Sequence, residues 1–227
     1  MKVAFIFAHQ DDEVALTSRI RWEVARGSEV TCVCLTDGAS AKPAAVRDAE
    51  SRHVLAQLGV NDFRVAPDGQ RIADGTLPEH LDEALQFVQS SIASVDEVVT
   101  LAWEGGHQDH DAAHLVAAVF ARQRGVACLE MPLYNGFEAY DFLFRVNHPV
   151  GDGWLERRLT RREYFSNVML ARFYPSQRKT WLGLAPLLLI SKPRELIRAA
   201  DLRRAVAPPH PLPLLYERRF RYPYDRF

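Results

Sequence analysis

The sequence predicts an α/β protein built on a doubly wound, mostly parallel β-sheet. Five short apolar runs, each the length of a buried strand, alternate with segments of helical periodicity. Glycine follows three of the helical segments, at the position where helices commonly end. Strands that alternate with helices form parallel units with right-handed crossovers. The pattern therefore indicates a Rossmann-like sheet with helices on both faces and a C-terminal mixed or helical extension.

The elements of the first 130 residues follow in order along the chain. The predicted strands cover residues 3–7, 30–35, 63–66, 95–101 and 126–129. The predicted helices cover residues 14–26, 44–58, 78–93 and 112–123. Gly27, Gly59 and Gly125 end three of these helices, and Pro78 opens another at its first turn.

The C-terminal part follows a different pattern. Residues 132–150 have the composition of short strands and turns, which predicts an antiparallel extension, and residues 154–173 predict an arginine-rich amphipathic helix. From Pro208 the chain holds five of its 13 prolines within sixteen residues, which favours an extended tail on the surface. We therefore divide the chain into a Rossmann-like catalytic domain, 1–150, and a basic extension, 151–227, packed on the same domain.

The charge balance supports this division. The chain has 227 residues, with 28 Lys and Arg against 29 Asp and Glu. Residues 1–150 hold 12 basic and 22 acidic residues, whereas residues 151–227 hold 16 basic and 7 acidic residues. A hydrophobic fraction of 48% and a charged fraction of 25% exclude disordered and collagen-like proteins. The basic residues lack the aromatic interleaving of nucleic-acid sites, so we expect no nucleic-acid partner.

The basic extension allows two interpretations. Its arginines either pair with the acidic first part, in the monomer or in a homo-oligomer, or form a surface for anionic substrates or lipid headgroups. The apolar run 181–190 is about half the ~20 residues of a membrane span, but Arg178, Lys179, Lys192 and Arg194 flank it. This combination suits a hydrophobic interface or a peripheral contact with the inner face of a membrane.

The cysteines and the N-terminus indicate the compartment. Cys32, Cys34 and Cys128 make an odd number, and the apolar run at the N-terminus is too short for a signal peptide. Cys32 and Cys34 alternate along a predicted strand, so we expect them on one buried face. We accordingly predict reduced thiols and a cytoplasmic location.

Two polar loops are predicted to share one crevice. The first, residues 8–13, follows strand 1, and the second, residues 103–110, follows strand 4. If the strand order is 3-2-1-4-5, strands 1 and 4 are neighbours at the point where the order reverses. Ligands of open α/β sheets bind at that point, beyond the carboxyl ends of the strands.

The residue types in these loops suit a catalytic metal centre. Catalytic Zn²⁺ takes three protein ligands and leaves a position for water. His9 and Asp12 can converge where the first loop enters a helix, and His110 can supply a third ligand. Asp11 then lies beside the metal-bound water as a candidate general base. Alternatively, Asp11 or Asp12 caps the following helix.

The second loop offers two further catalytic candidates. Asp109 can hold the tautomer of His107 and favour its protonated form. His107 can then stabilise an oxyanion or protonate a leaving amine. His114 lies four residues after His110, and we interpret it as a packed or supporting histidine rather than a fourth ligand.

The residues of these two loops resemble the LmbE/PIG-L family of zinc-dependent N-deacetylases. The family motif Ala-His-Pro-Asp-Asp-Glu is matched by residues 8–13, with Gln10 in place of proline, and His-x-Asp-His is matched by residues 107–110. Further similarities lie at Thr36-Asp37-Gly38, at Arg47 and Glu50, at Leu58-Gly59-Val60 and at Asp68-Gly69, with a fainter one at Tyr174-Pro175-Ser176-Gln177.

The resemblance implies a set of residue roles. It implies His9, Asp12 and His110 as zinc ligands and Asp11 as the general base. It implies His107 as electrophile or general acid, oriented by Asp109, and it suggests that Arg47 and Asp68 contact the substrate.

Three positions depart from the family pattern. Gln10 replaces a rigid proline, so we expect a less preorganised loop. Gly105 stands where some relatives have a larger polar side chain, and Ala39 where many have Glu. The last two departures concern substrate identity and suggest a bulkier acceptor or a site completed by a partner.

The expected activity is hydrolysis of an N-acetyl group from a glucosamine-type sugar conjugate in carbohydrate biosynthesis, and a lipid-linked or a nucleotide-linked conjugate is our hypothesis for the substrate. Zn²⁺ is the expected cofactor, with Fe²⁺ as an alternative because His₂Asp sites accept several ions. Two alternatives stay open: a non-catalytic sugar- or nucleotide-binding module, and a hydrolase of another amide-containing metabolite. A phosphoesterase normally needs two metals, and the sequence supplies ligands for one.

Overall fold

A computed structural model describes residues 1–39, 42–139, 143–201 and 208–223. The strands within these ranges are β1 (Lys2–Phe7), β2 (Glu29–Cys34), β3 (Asp62–Val65), β4 (Glu97–Leu101), β5 (Ala127–Met131), β6 (Tyr134–Asn135), β7 (Arg145–Val146), β8 (Leu155–Arg158) and β9 (Arg194–Ala199). The α-helices are α1 (Glu13–Ala25), α2 (Ala44–Gln57), α3 (Leu81–Ser91), α4 (Gln108–Arg124), α5 (Arg161–Val168), α6 (Arg178–Ile190) and α7 (Leu215–Phe220). Short 3₁₀ helices cover Leu77–His80, Met169–Phe173 and Pro175–Gln177.

The described strands form one seven-stranded sheet and a separate hairpin. The order in the sheet is β3-β2-β1-β4-β5-β9-β8, and the first five strands are parallel. The predicted α/β fold and the order 3-2-1-4-5 are confirmed. The chain reverses its direction of winding between β1 and β4, so the loops that follow these strands share a crevice.

The core lies on both faces of the sheet, as helices on both faces require. One hydrophobic cluster includes Phe5, Phe7, Cys32 and Cys34, and the opposite one includes Ala4 and Ile6. Alternate residues of β1 therefore contact opposite layers, and β1 is buried from Val3 onward. Cys32 and Cys34 share one buried face, as their alternation predicted.

Helix α4 begins four residues before its predicted start. His107 stands at its N-cap, and its first turn contains Asp109, His110 and Asp111. Polar residues in that turn hide the helical periodicity, because they face the site or the backbone of the preceding loop. Gly125 adopts a left-handed conformation and ends the helix, as predicted.

The prediction of one helix over residues 154–173 is wrong. Residues 155–158 form β8, an edge strand that pairs antiparallel with β9, and β9 pairs with β5. The helix α5 starts only after Thr160, whose side chain and that of Glu163 form a capping box. That Thr-x-x-Glu signal was readable in the sequence. Strand β9 was missed because its burial comes from pairing with residues about 70 positions away.

The C-terminal segment 208–223 is not merely extended on the surface. Leu214, Leu215 and Tyr216 are fully buried, and α7 follows the proline-rich turns. The part of the predicted tail at 224–227 lies outside the described residues. Within the described chain, no helix combines the length and the apolar character needed to cross a membrane.

Candidate metal centre and active site

The three predicted metal ligands meet at the carboxyl ends of β1 and β4. The Nδ1 atom of His9 lies 3.2 Å from Nε2 of His110, and Asp12 Oδ1 lies 3.1 Å from the same nitrogen. The remaining distance, from His9 Nδ1 to Asp12 Oδ2, is 3.8 Å. All three side chains are buried. Long-range pairing of β1 with β4 brings His110 to the first loop across about 100 residues of sequence.

The carboxylate of Asp12 is fixed by its own loop. Its Oδ2 accepts hydrogen bonds from the backbone N–H groups of Ala8, at 3.1 Å, and His9, at 2.8 Å. Asp12 occupies the N-cap position of α1, yet its side chain makes no capping hydrogen bond. The carboxylate is therefore held towards the histidines, and the interpretation as a simple helix cap does not describe it.

His9 is oriented by two carboxylates on its other nitrogen. Its Nε2 lies 3.0 Å from Asp109 Oδ2 and 3.2 Å from Asp74 Oδ1. Metal-ligating histidines commonly donate their second N–H to a carboxylate, which fixes the tautomer and leaves the other nitrogen for the ion. Asp109 is itself held by the backbone N–H groups of Gly75 and Leu77. Sequence reasoning missed Asp74, which lies in a turn without a recognised motif.

The sequence predicted that the carboxylate of Asp109 holds His107, but the structure shows a different contact between these two residues. The contacts above direct its carboxylate to His9, whereas its backbone N–H donates to His107 Nδ1 at 3.1 Å. A nitrogen that accepts this hydrogen bond carries no proton, so the proton of the neutral imidazole is on Nε2. Burial, followed by the charges of His9 and His110, lowers the pKa of His107 to about 3. Both observations favour a neutral His107 that donates from Nε2.

Asp11 is held in an uncommon backbone conformation beside the ligands. Its φ of 107° lies in the region that favours glycine, and Glu13 Oε2 accepts its backbone N–H at 2.9 Å. The guanidinium of Arg47 donates to Asp11 Oδ1 at 2.8 Å and to the carbonyl of Gly38 at 2.6 Å. Burial raises the pKa of Asp11 to about 8, although Arg47 opposes this shift.

Arg47 thus contacts the catalytic loop itself. It is buried, and it also donates to the carbonyl of Gln10. The Gln10 side chain donates to Asp48 Oδ1 at 2.7 Å and is fully buried. These contacts order the loop without the proline of the family motif, so the expected loss of preorganisation is offset.

A buried network joins the first loop to the C-terminal part of the chain. The hydroxyl of Tyr174 donates to Glu13 Oε1, and both side chains are fully buried. Glu13 in turn accepts the backbone N–H of Asp11. Tyr174 belongs to the segment that only faintly resembled the family, and its role was not predicted.

The C-terminal segment also packs against the second loop. Leu215 N–H donates to the carbonyl of Gly105 at 2.9 Å, and His210 Nε2 lies 3.1 Å from the carbonyl oxygen of Glu104. A Cβ atom on Gly105 would lie 2.9 Å from Leu214 Cδ2 and 3.2 Å from His210 Nε2. The space that a larger residue takes in some relatives is therefore filled by residues of the same chain.

Two other predicted residues lie apart from the centre. The Asp68 side chain is 96% exposed and pairs with Arg71 at 3.1 Å, so it takes no part in the cluster around His9. His114 is buried, with Nδ1 3.1 Å from the carbonyl oxygen of Leu101 and 3.3 Å from Glu130. His114 is therefore a packed histidine, as interpreted from the sequence.

The donor set fits a single divalent cation. Donors at about 2.0–2.1 Å from a tetrahedral ion lie about 3.3 Å from one another. His110 Nε2 lies at nearly this distance from His9 Nδ1, 3.2 Å, and from Asp12 Oδ1, 3.1 Å, whereas His9 Nδ1 lies 3.8 Å from the other Asp12 oxygen. Two other groups also bring donor atoms within 4.8 Å: His9 with His107 and His110, and His9 with Asp74 and Asp109. Both groups share His9, whose two nitrogens face opposite sides of the cluster.

The sequence and the geometry agree with a known family. Residues 4–121 match the PIG-L family, which is described as GlcNAc-PI de-N-acetylase. The match spans more than half of the 227 residues. The chain belongs to the PIG-L family. The two loops, β4 and most of β1 lie within the matched segment, whereas Tyr174 and the C-terminal segment lie outside it.

Solved structures share the fold of this PIG-L member. A teicoplanin biosynthesis deacetylase is 16% identical, with a TM-score of 0.66 over 88% of this chain and 99% of the other. The A40926 pseudoaglycone deacetylase is 17% identical, with a TM-score of 0.65 over 87% and 96%. The N,N′-diacetylchitobiose deacetylase of Pyrococcus horikoshii is 18% identical, with a TM-score of 0.61 over 89% and 85%. No curated protein sequence matches the chain significantly.

Proposed function

We propose that this chain is a metal-dependent hydrolase that removes an N-acetyl group from a glucosamine-type sugar conjugate. The observation that carries the proposal is the convergence of His9, Asp12 and His110, with Asp11 beside them, at the switch point of the sheet. A non-catalytic binding module needs neither three converging metal-binding side chains nor, beside them, an aspartate held in an uncommon backbone conformation.

The metal would be held by Nδ1 of His9, a carboxylate oxygen of Asp12 and Nε2 of His110. A divalent cation at this position supplies Lewis acidity to the amide carbonyl and acidifies water. We propose Zn²⁺ because two imidazoles and a carboxylate form a common catalytic zinc set, with Fe²⁺ as the alternative.

The protein side chains divide the remaining chemistry. The Asp11 carboxylate, whose ionised form a bound cation would favour, accepts a proton from the attacking water, and its position is fixed by Arg47 and Glu13. Nε2–H of His107 donates to the carbonyl oxygen as negative charge develops on it. The amide nitrogen then takes up the proton from Asp11 as the C–N bond breaks. Acetate and a free amino sugar are the products.

The substrate class follows from the family and from its structural neighbours. The family description names an N-acetylglucosaminyl substrate, and the neighbours include deacetylases of teicoplanin and of diacetylchitobiose. We propose an N-acetylglucosamine conjugate whose second half is lipid-linked or nucleotide-linked.

The test combines metal analysis with acetate release over a panel of N-acetylglucosamine conjugates. We expect one bound ion per chain and acetate release by the wild-type protein. Replacement Asp11→Asn should lower kcat by at least about 100-fold while the metal remains bound, because it removes the proton acceptor but no ligand. Replacement Asp68→Asn is the matched control, since it alters an exposed carboxyl group, and should leave kcat unchanged.

Equal acetate release by the wild-type protein and Asp11→Asn would contradict this mechanism. Metal binding without release of acetate from any conjugate would favour a hydrolase of another amide. Sugar binding that needs no metal and is insensitive to Asp11→Asn would favour the non-catalytic module.

A further inference from the structure

Helix α6 carries an exposed apolar stripe that the proposed reaction does not use. The side chains of Leu182, Pro186, Leu189 and Ile190 recur at helical spacing and are exposed. Leu182 is 67% exposed and Ile190 is 82% exposed. A single exposed leucine is ordinary on a protein surface, whereas four apolar residues along one helix form a continuous surface.

The opposite side of the same helix is firmly packed. Trp181, Leu184 and Leu188 are buried in the hydrophobic cluster that covers this face of the sheet. The hydroxyl of Tyr164 on α5 lies 2.5 Å from Ser191 Oγ, directly after α6. The core contacts therefore fix which residues of α6 face outwards, and the stripe is a stable feature of the folded protein.

Basic side chains accompany the stripe. Seven exposed residues of α5, α6 and the segments next to them form no ion pair with any described carboxylate: Arg158, Arg161, Arg162, Arg172, Arg178, Lys179 and Lys192. The acidic side chains nearby are already engaged, since Glu156 pairs with Arg194 and Glu163 bonds to Thr160. Arg198 pairs with Glu130, as expected if the basic extension pairs with the acidic first part of the chain. These seven residues form no such ion pair with the described carboxylates.

We propose that the α5–α6 face docks on an anionic lipid surface. Apolar side chains enter the interface between headgroups and acyl chains, while flanking Lys and Arg side chains contact negative headgroups. A second copy of the chain fits less well. A twofold contact would place the same patch against itself, and its seven unpaired positive charges would repel one another.

Helix α6 is connected to the candidate active site through a chain of contacts. It contacts β7, and β7 pairs with β6. Tyr134 of β6 lies against His110, with ring centroids 5.6 Å apart. The docking itself does not depend on the proposed reaction.

Vesicle sedimentation tests the proposal without any enzymatic readout. The probes are phosphatidylcholine vesicles with and without about one-third phosphatidylglycerol, at low and high salt. We expect the full chain to sediment with the anionic vesicles at low salt, and binding to weaken as salt rises. Replacement of Leu182 and Ile190 by Gln should reduce the partition coefficient by about tenfold or more, because two apolar contacts are lost.

Further variants separate the two contributions. Arg161→Gln with Arg162→Gln should weaken binding to anionic vesicles and reduce its salt dependence. The matched controls are Leu212→Gln, at an apolar residue that is 54% exposed elsewhere, and Arg122→Gln, at the end of α4. Neither control should change sedimentation. All variants should keep the thermal melting temperature of the wild type, since the replaced side chains face solvent.

Three outcomes would overturn the proposal. They are the absence of sedimentation at low salt, equal binding to neutral and anionic vesicles, and binding that survives both double replacements. A dimer in analytical ultracentrifugation that the Leu182 and Ile190 replacements abolish, without vesicle binding, would assign the stripe to self-association. Failure of docking would leave the deacetylase proposal untouched, because metal binding and acetate release are measured without vesicles.

Discussion

At the scale of single residues, the candidate site depends on a support that lies far along the chain from the two loop motifs. Asp11 needs Glu13 to hold its backbone N–H, and Glu13 receives the hydroxyl of Tyr174. Backbone conformations such as that of Asp11 cost about 1–3 kcal/mol and persist only where surrounding contacts determine them. Tyr174 is therefore a positioning residue for the proposed base, although it lies 163 positions after Asp11.

Replacement Tyr174→Phe tests this positioning role. Loss of the hydroxyl leaves Glu13 Oε1 without its donor in a buried site, so we expect kcat to fall by roughly tenfold. KM and metal content should stay near their wild-type values, because no ligand or substrate contact is removed. Tyr164→Phe is the control, since that hydroxyl contacts Ser191 away from the site. A fall in metal content that matches the loss of kcat would instead indicate general disruption.

At the scale of structural elements, the C-terminal segment 208–223 completes the loop between β4 and α4. Leu215 N–H and His210 Nε2 contact the carbonyl oxygens of Gly105 and Glu104, and the side chains of Leu214 and His210 occupy the space next to the Gly105 Cα. The close approach needs a residue without Cβ. Gly105 has a φ of 69°, so it also supplies a conformation that other residues rarely adopt.

Replacement Gly105→Ala separates packing from backbone strain. Gly125 has a φ of 68°, nearly that of Gly105, but an added Cβ there meets nothing within 4 Å. Both replacements should cost about 1 kcal/mol of unfolding free energy through backbone strain. Gly105→Ala should cost about 1–3 kcal/mol more, because the new methyl group displaces Leu214 and His210. Thermal melts would measure the difference. Equal losses of unfolding free energy in the two variants would show that Leu214 and His210 do not pack tightly against Gly105.

At the scale of the whole molecule, buried carboxyl groups make stability depend on pH. Burial raises the pKa of Glu104 to about 8, although Leu133 N–H and the Asn135 amide oppose the shift. The folded state therefore keeps a proton that the unfolded chain releases above about pH 4.5. The stability that this group contributes is complete below about pH 4.5 and is lost as the pH rises through about 8.

The melting temperature should accordingly decline between about pH 4.5 and 8. Replacement Glu104→Gln, which cannot ionise, should make this decline shallower, and denaturant titrations at several pH values would measure the slope. Glu83→Gln is the control, because that side chain is 69% exposed and lies on α3. A slope that is identical in Glu104→Gln and the wild type would contradict the assignment.

The sequence by itself predicted the parallel α/β sheet and the two loops that hold the candidate site residues. Both depend on local signals: apolar runs, glycines at helix ends, and the residues His9, Asp12 and His110 at strand ends. Parallel strands with right-handed crossovers leave few possible arrangements, so local patterns were enough to bring these loops together. The proposed ligand set needed no knowledge of packing.

Only the tertiary structure decided which side chains support those ligands. Asp74, not Asp68, reaches His9, and Arg47 contacts Asp11 and the backbone of its loop. Tyr174, His210 and β9 meet the site or the sheet across long stretches of sequence. Such contacts leave no periodic trace, because a buried tyrosine or a paired edge strand looks the same in sequence wherever it packs. The exposure of Leu182 and Ile190 likewise depends on tertiary packing, because the opposite side of α6 is buried in the hydrophobic core.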